Sequence, residues 1–183
     1  SEQLHPLCEN FLSAAQEIGI GLNQDMNGAT QEGVGNYQIT THKGQRMSSS
    51  RAYLWPIRGR TNLTIIKNAQ ATRVLIKDKK AYGVEYLKSG KVHEVTASRE
   101  VILSAGSINS PQLLQLSGVG PKNVLKHFLV PLVHESPAVG ENLQDHLGVS
   151  YFYKSKVPTL NDQLRPFLGK IYQGLRYIFT RRG

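Results

Sequence analysis

The sequence is short of cysteine, of long hydrophobic runs and of acidic residues, and each shortage excludes a class of protein. Its single cysteine, Cys8, cannot form a disulfide within the chain. Cys8 falls in an amphipathic helical pattern, which is typical of a small buried hydrophobic residue rather than of a nucleophile. No apolar run approaches the ~20 residues that a membrane-spanning helix requires, so the sequence predicts no such helix. The hydrophobic fraction of 39% is that of a globular protein.

The shortage of acidic residues gives a net charge of +9, from 22 Lys and Arg against 13 Asp and Glu. The excess is concentrated in residues 151–183, which contain seven basic residues and a single acid, Asp162. Because the rest of the chain is close to balanced, the sequence does not favour a polyanion-binding surface and predicts no nucleic-acid partner. The same region has apolar residues at helical spacing from Leu164 onward. A basic amphipathic helix either lies on an anionic membrane or packs against its own protein, and the second is more common.

One stretch in the middle of the sequence predicts a strand, a glycine turn and a capped helix. Residues 101–103 are Val-Ile-Leu, an apolar run typical of a buried strand, and Gly106 allows a sharp turn after it. Ser110 before Pro111 predicts a helix that starts there and ends at about Leu116. This arrangement brings backbone donors to the end of a strand, where open α/β sheets bind nucleotides. An ordinary strand-to-helix connection in a core explains the same pattern.

Periodicity and turn residues predict the other elements. Helical spacing predicts helices over residues 5–18, 51–55, 123–128 and from 162 onward, the second of them capped by the serines at 48–50 and stopped by Pro56. Alternation and β-rich composition predict strands over residues 37–41, 62–66, 71–77, 82–88, 92–97 and 130–133. Short turns separate the three strands between 71 and 97, which are therefore expected to form a small β-meander.

The middle stretch also resembles the second signature of the glucose-methanol-choline (GMC) oxidoreductases, and every fixed position of that signature is filled. These positions are Gly106-Ser107, Ser110-Pro111, Leu113-Leu114 and Ser117-Gly118-Val119-Gly120. Further segments resemble parts of the same family in the same order, namely residues 44–48, 59–64, 73–75, 81–86 and 139–146. The chain resembles the middle section of the bacterial choline and alcohol dehydrogenases of that family, which oxidise alcohols with FAD.

The resemblance implies an α/β fold of mixed α+β character. It is expected to comprise part of a Rossmann-like FAD-binding domain, with the small β-meander, and pieces of a substrate-binding domain. Residues 1–56 would be a substrate-domain segment and its return to the FAD domain, residues 57–146 a segment of the FAD-binding domain, and residues 147–183 the start of the substrate-binding domain.

The resemblance places three residues at the cofactor. The backbone at Ala71 lies where relatives contact the adenine of FAD, and Ala105 and Gly106 lie near its adenosine half. Relatives often have valine in place of Ala71, but a backbone contact does not depend on the side chain. We assign no catalytic residue and no metal ligand to this chain.

Two motifs of the family are missing from the sequence. No Gly-x-Gly-x-x-Gly loop is present to hold the FAD pyrophosphate, and none of the six histidines belongs to the family's C-terminal catalytic motif. His146, next to Asp145, is expected to form hydrogen bonds rather than to act in catalysis, because adjacent residues of a strand point to opposite faces. We therefore expect the chain to be a fragment that is inactive alone and holds FAD poorly.

The function predicted for the parent protein is oxidation of the CH–OH group of an alcohol or choline-like substrate by hydride transfer to FAD. One alternative is a redox-inactive lyase of the same family, which retains FAD and splits cyanohydrins. The other is a non-enzymatic basic module that binds a membrane or a polyanion through residues 151–183. The electron acceptor is not assigned, and the expected location is the cytoplasm or the periphery of the inner membrane.

Overall fold

The computed structural model describes residues 4–181. The chain divides into two compact units, of which one contains the residues up to 63 and those from 150 onward, and the other is Thr64–Val149. Helices and strands are mixed, which confirms the predicted fold class. The assignment of residues 1–56, 57–146 and 147–183 to FAD-binding and substrate-binding domains stays a prediction, because a compact unit does not by itself reveal which ligand it serves.

The first described element is helix α1, Pro6–Glu17, which confirms the helix predicted over residues 5–18. His5 caps this helix, since its Nδ1 accepts a hydrogen bond from the Leu7 N–H at 3.2 Å. Proline in the first turn costs no helical hydrogen bond there. Cys8 is half-buried on α1.

A short antiparallel hairpin follows, made of β1 (Thr41–His42) and β2 (Gln45–Arg46). The strand predicted over residues 37–41 is wrong except for its last residue. Alternation favours an extended chain, but a strand also needs a hydrogen-bonded neighbour. Within residues 4–181, residues 37–40 belong to no strand, and the Tyr37 side chain is 89% exposed. Only Thr40 is linked to the far side of the hairpin, since its O accepts a hydrogen bond from the Met47 N–H at 3.0 Å.

The short helix predicted over residues 51–55 is present but continues further. A π-helical turn, Ser50–Leu54, leads directly into α2, Trp55–Ile57. Ser48 caps the turn through its Oγ, which accepts a hydrogen bond from the Arg51 N–H at 3.3 Å. The predicted stop before Pro56 is wrong, because Pro56 is the second residue of α2 and its fixed φ is compatible with a helix.

Three antiparallel strands in Thr64–Val149 form the predicted meander. They are β3 (Ala69–Lys77), β4 (Lys80–Lys88) and β5 (Lys91–Thr96), in the order β3-β4-β5. Two-residue turns, Asp78-Lys79 and Ser89-Gly90, connect them, and all four residues have positive φ, as tight hairpins require. The strand predicted over residues 62–66 is wrong, since none of those residues belongs to a ladder.

The helix of the middle stretch begins earlier than predicted. Helix α3 spans Gly106–Leu116, so Pro111 lies inside it rather than at its start. An interior proline removes one helical hydrogen bond, but its fixed φ is compatible with the helix. Ser110 secures the first turn instead, because its Oγ accepts a hydrogen bond from the Ala105 N–H at 3.0 Å. The predicted end of the helix at about Leu116 is confirmed. Gly118 lies two residues further on and has φ of +82°.

The buried strand predicted over residues 101–103 is wrong. These residues pair with no strand in the described part of the chain, and the Ile102 side chain is 75% exposed. A short apolar run becomes a buried strand only when neighbouring strands and helices cover it. Nothing in Thr64–Val149 supplies that cover on the Ile102 side.

The rest of this unit contains β6 (Val119–Gly120), α4 (Lys122–His127) and β7 (His134–Glu135), with β6 and β7 parallel. Helix α4 confirms the helix predicted over residues 123–128. The strand predicted over residues 130–133 is wrong, because pairing begins one residue later. Gly118 O accepts hydrogen bonds from the N–H groups of Val133 and His134, at 2.8 and 3.1 Å, and this sets the register.

The core of Thr64–Val149 lies where α3 packs against β3. Its buried apolar residues are Val74 and Leu75 of β3, Leu113 of α3 and Leu125 of α4. Ser117, directly after α3, is buried among them and is the polar member of this core. The packing therefore joins the meander to the helix of the signature stretch.

Residues 150–181 contain α5 (Leu160–Leu164) and α6 (Phe167–Thr180), which confirm the helical pattern predicted from residue 162 onward. Thr159 and Asp162 form a capping box at the start of α5. The Tyr177 hydroxyl of α6 donates a hydrogen bond to Gly44 O at 2.6 Å. Across residues 4–181, no helix has the length and apolar character needed to cross a bilayer.

Candidate cofactor site

Ala71 lies beside an irregularity of β3. It pairs with Tyr86 of β4, whereas Arg73 pairs with Glu85, so Thr72 is an extra residue in the ladder. Such a bulge interrupts the regular pairing and bends the strand. On the other side of β4, Tyr86 pairs and stacks with His93, with ring centroids 5.3 Å apart. The backbone predicted to contact adenine is therefore part of a bulge rather than of a uniform ladder.

Glu85 holds this bulge from the neighbouring strand. Its Oε1 accepts a hydrogen bond from the Thr72 hydroxyl at 2.7 Å. Its Oε2 accepts two from Arg73, at 3.0 Å from Nε and 2.7 Å from Nη2. The Thr72 hydrogen bond, followed by those of Arg73, holds the pKa of Glu85 below its ordinary value. The carboxylate is charged at neutral pH, and it fixes both residues that follow Ala71.

Ala105 and Gly106 form the entry to α3. Gly106 has φ of +92°, a conformation that side chains rarely adopt, and a Cβ atom there would meet no atom within 4 Å. The glycine is thus required by backbone conformation and leaves open space in front of the helix. The first N–H groups of a helix have no intrahelical acceptor and remain available to an external one.

An open groove of about 690 Å³ runs along α3 from a point next to Gly106. One wall is α3, including Ser107, Ser110 and Gln115, and the opposite wall is residues 138–144. Gln115 joins the two walls, since its Nε2 donates a hydrogen bond to Val139 O at 3.1 Å. The lining begins at Ser107, so Gly106 adjoins the groove without lining it, and Ala71 lies on the meander and does not line it either.

Gly140 allows the two walls of the groove to come together. Its φ is +87°, and a Cβ atom at this position would lie 2.8 Å from Nε2 of Gln115. The sequence suggested residues 139–146 as a family segment but gave no sign that they pack against α3. That pairing depends on a contact between residues distant in sequence, which local patterns do not reveal.

The expectation that Asp145 and His146 point to opposite faces assumed that they lie in a strand. That assumption is not supported, since residues 141–150 form no strand. Asp145 Oδ1 accepts a hydrogen bond from the His146 backbone N–H at 2.8 Å, and both residues are exposed. The role of the His146 side chain stays a prediction. In the described part of the chain, no three His, Cys, Asp or Glu side chains converge as a metal site requires.

Comparison with protein families finds that residues 1–148 match the model of the GMC oxidoreductase family. Among curated proteins, the chain is 46% identical to an alcohol dehydrogenase [acceptor] of Pseudomonas putida, over all of this chain and 34% of that protein. It is 47% identical to an oxygen-dependent choline dehydrogenase of Photobacterium profundum, over 99% of this chain and 32% of that protein. The chain thus spans about a third of the length of the curated relatives it matches.

Solved structures give the same match in three dimensions. An FAD-dependent oxidoreductase from Chaetomium thermophilum superposes with a TM-score of 0.83 at 27% sequence identity. The match covers 99% of this chain and 32% of that one. Both compact units are therefore represented in a known architecture.

Proposed function

This chain belongs to the GMC oxidoreductase family, and we propose that the protein of which it forms part is an FAD-dependent enzyme that oxidises the CH–OH group of an alcohol or a choline-like substrate. The observation that carries the proposal is sequence identity near one half with an alcohol dehydrogenase and a choline dehydrogenase along essentially the whole chain. Because the chain spans about a third of those relatives, we propose that it is a section of a longer enzyme.

We propose that residues of Thr64–Val149 hold the adenosine half of FAD. Gly106 leaves open space before the first turn of α3, and the N–H groups at the start of a helix suit an anionic or hydrogen-bonding group. The backbone of Ala71 and the segment Ala105-Gly106 would hold this half of the cofactor. Bound FAD would supply the acceptor for the hydride of the substrate carbon. The residues of this chain contribute binding and orientation, and we assign the proton-abstracting base to a part of the protein outside this sequence.

The test is to purify the protein from its complete reading frame and record its absorbance spectrum and its reduction of an artificial electron acceptor. We expect bound flavin and acceptor reduction that depends on an added alcohol or choline. A purified protein without flavin absorbance would contradict the proposal. Bound flavin with cyanohydrin cleavage and no acceptor reduction would favour the lyase instead.

The electron acceptor is not assigned by any residue of this chain. For location, we propose the cytoplasm or the periphery of the inner membrane, and the basic residues 151–183 support the second of these. Flotation with anionic vesicles at low salt would test the second of these, since electrostatic attachment is strongest there.

A further inference from the structure

Strand β3 is an edge strand, and one of its backbone groups is held by a side chain from outside the sheet. The order β3-β4-β5 leaves one side of β3 without a strand. On that side, the Val74 N–H donates a hydrogen bond to Oγ of Ser117 at 2.7 Å. The same hydroxyl donates to Leu113 O at 2.6 Å, so its orientation is fixed. Both Val74 and Ser117 are buried.

This contact lies just past the bulge that contains Thr72. A bulge is a point at which a strand could shift its register, because one residue there has no opposite partner. Ser117 fixes Val74 on one side of the bulge. Glu85 fixes Thr72 and Arg73 from the neighbouring strand, as described above. The bulge is consequently held from both edges of β3.

We propose that Ser117 and Glu85 are positioning residues, which hold the bulge of β3 so that the backbone of Ala71 is presented to the adenine of FAD. This inference rests on the proposed function, since it takes FAD as the ligand of Ala71. Ser117 also connects that strand to α3, the helix that begins at Gly106. A single hydroxyl therefore links the adenine contact to the element that carries the rest of the adenosine site.

The decisive variant is Ser117→Ala in the protein expressed from its complete reading frame and stripped of flavin. Its affinities for FAD and for ADP, which carries the adenine, ribose and two phosphates of FAD, are measured by calorimetry. We expect both dissociation constants to rise about tenfold, because a buried N–H loses its acceptor and the bulge becomes free to shift. Ser117→Thr retains the hydroxyl and should restore most of the affinity.

A merely structural role would give a different result. Partial unfolding lowers the number of binding sites per protein but leaves the dissociation constant of the folded fraction unchanged. Ser98→Ala serves as the matched control, since Ser98 is exposed in the same unit. Ser117→Ala with the wild-type dissociation constants for FAD and ADP would overturn the role of Ser117.

Glu85→Ala tests the other side of the bulge without disturbing the core. We expect it to weaken ADP binding in the same direction, while Glu94→Ala, its cross-strand neighbour on β5, leaves the binding unchanged. Equal ADP affinity in Glu85→Ala and Glu94→Ala would overturn the role of Glu85. If the wild-type protein bound neither FAD nor ADP, the proposed function would fail and this inference with it.

Discussion

Single residues set the shape of the candidate site through backbone conformation more than through their side chains. Gly106 and Gly140 both have positive φ, but for different structural reasons. Gly106 faces open space, whereas Gly140 lies against the Gln115 amide. A substitution at Gly106 thus meets conformational strain alone, and one at Gly140 meets strain together with a steric clash.

Gly140→Ala should therefore destabilise Thr64–Val149 and widen the groove. We expect a loss of roughly 1–3 kcal/mol, because alanine at positive φ is strained and its Cβ displaces the Gln115 side chain. Hydrogen exchange of residues 138–144 in the complete protein measures the change. Gly148→Ala is the control, since a Cβ there meets no atom within 4 Å and φ is not in the strained range. Equal exchange in the two variants would contradict the prediction.

Individual residues also show which parts of the candidate site could be predicted from the sequence alone. Ala71, Ala105 and Gly106 came from the family resemblance, and their role at FAD stays a prediction. Ser117 was visible as a fixed position of the signature, but its contact with Val74 joins residues 43 positions apart. Local patterns contain no information about such a pair, because it exists only once α3 has packed against β3.

At the scale of elements, prediction succeeded where local interactions determine the structure. The meander is confirmed because its strands are joined by tight turns and pair with sequence neighbours. Helix α1 and helix α6 are confirmed because an amphipathic period extends over several turns. The strands predicted over residues 37–41, apart from residue 41, and over 62–66, 101–103 and 130–133 are wrong, since each needed a partner that extended character alone does not supply.

The capping box of α5 provides a test at this scale. Thr159→Ala should increase hydrogen exchange at residues 160–165 about fivefold, since an N-cap hydroxyl satisfies a helical N–H. Thr159→Ser retains the hydroxyl and should exchange like the wild type. Exchange that is the same in the alanine and serine variants would exclude a capping role for Thr159.

The same cap should respond to pH through Asp162. Its Oδ2 accepts hydrogen bonds from the Thr159 N–H and hydroxyl, both at 2.8 Å, and these contacts lower its pKa. A carboxylate with a lowered pKa stabilises the folded state above its unfolded pKa, about 3.9. That stabilisation is lost as the pH falls through the folded pKa. The difference in exchange between wild type and Thr159→Ala should therefore shrink below about pH 4.

At the scale of the whole molecule, many large apolar side chains remain exposed. The most exposed include Leu147, Phe152, Leu129 and Tyr37, each with about nine-tenths or more of its surface accessible. Isolated apolar residues on a surface are ordinary, but this number is high for a chain of 183 residues. The proposal that the chain is a section of a longer enzyme explains them as surfaces that the remainder covers.

Expression of the 183-residue chain by itself tests this explanation. We expect the isolated chain to show no acceptor reduction and to bind FAD at least a hundredfold more weakly than the complete protein, since a site completed by two parts loses the contacts of the missing one. Titration of both proteins with FAD, followed by flavin fluorescence, gives the comparison. Equal affinity would show that the 183-residue chain forms the FAD site without the rest of the protein.

The sequence by itself determined the mixed fold class, the meander, the principal helices and, through its signature, the family. These depend on local periodicity, turn residues and a contiguous pattern, all of which are read along the chain. Only the tertiary structure decided the position of Pro111 inside α3 and the groove that residues 138–144 form with that helix. It also decided that Ser117 and Glu85 hold the bulge beside Ala71. Those features arise from contacts between distant residues, whose free energy depends on packing that no local pattern encodes.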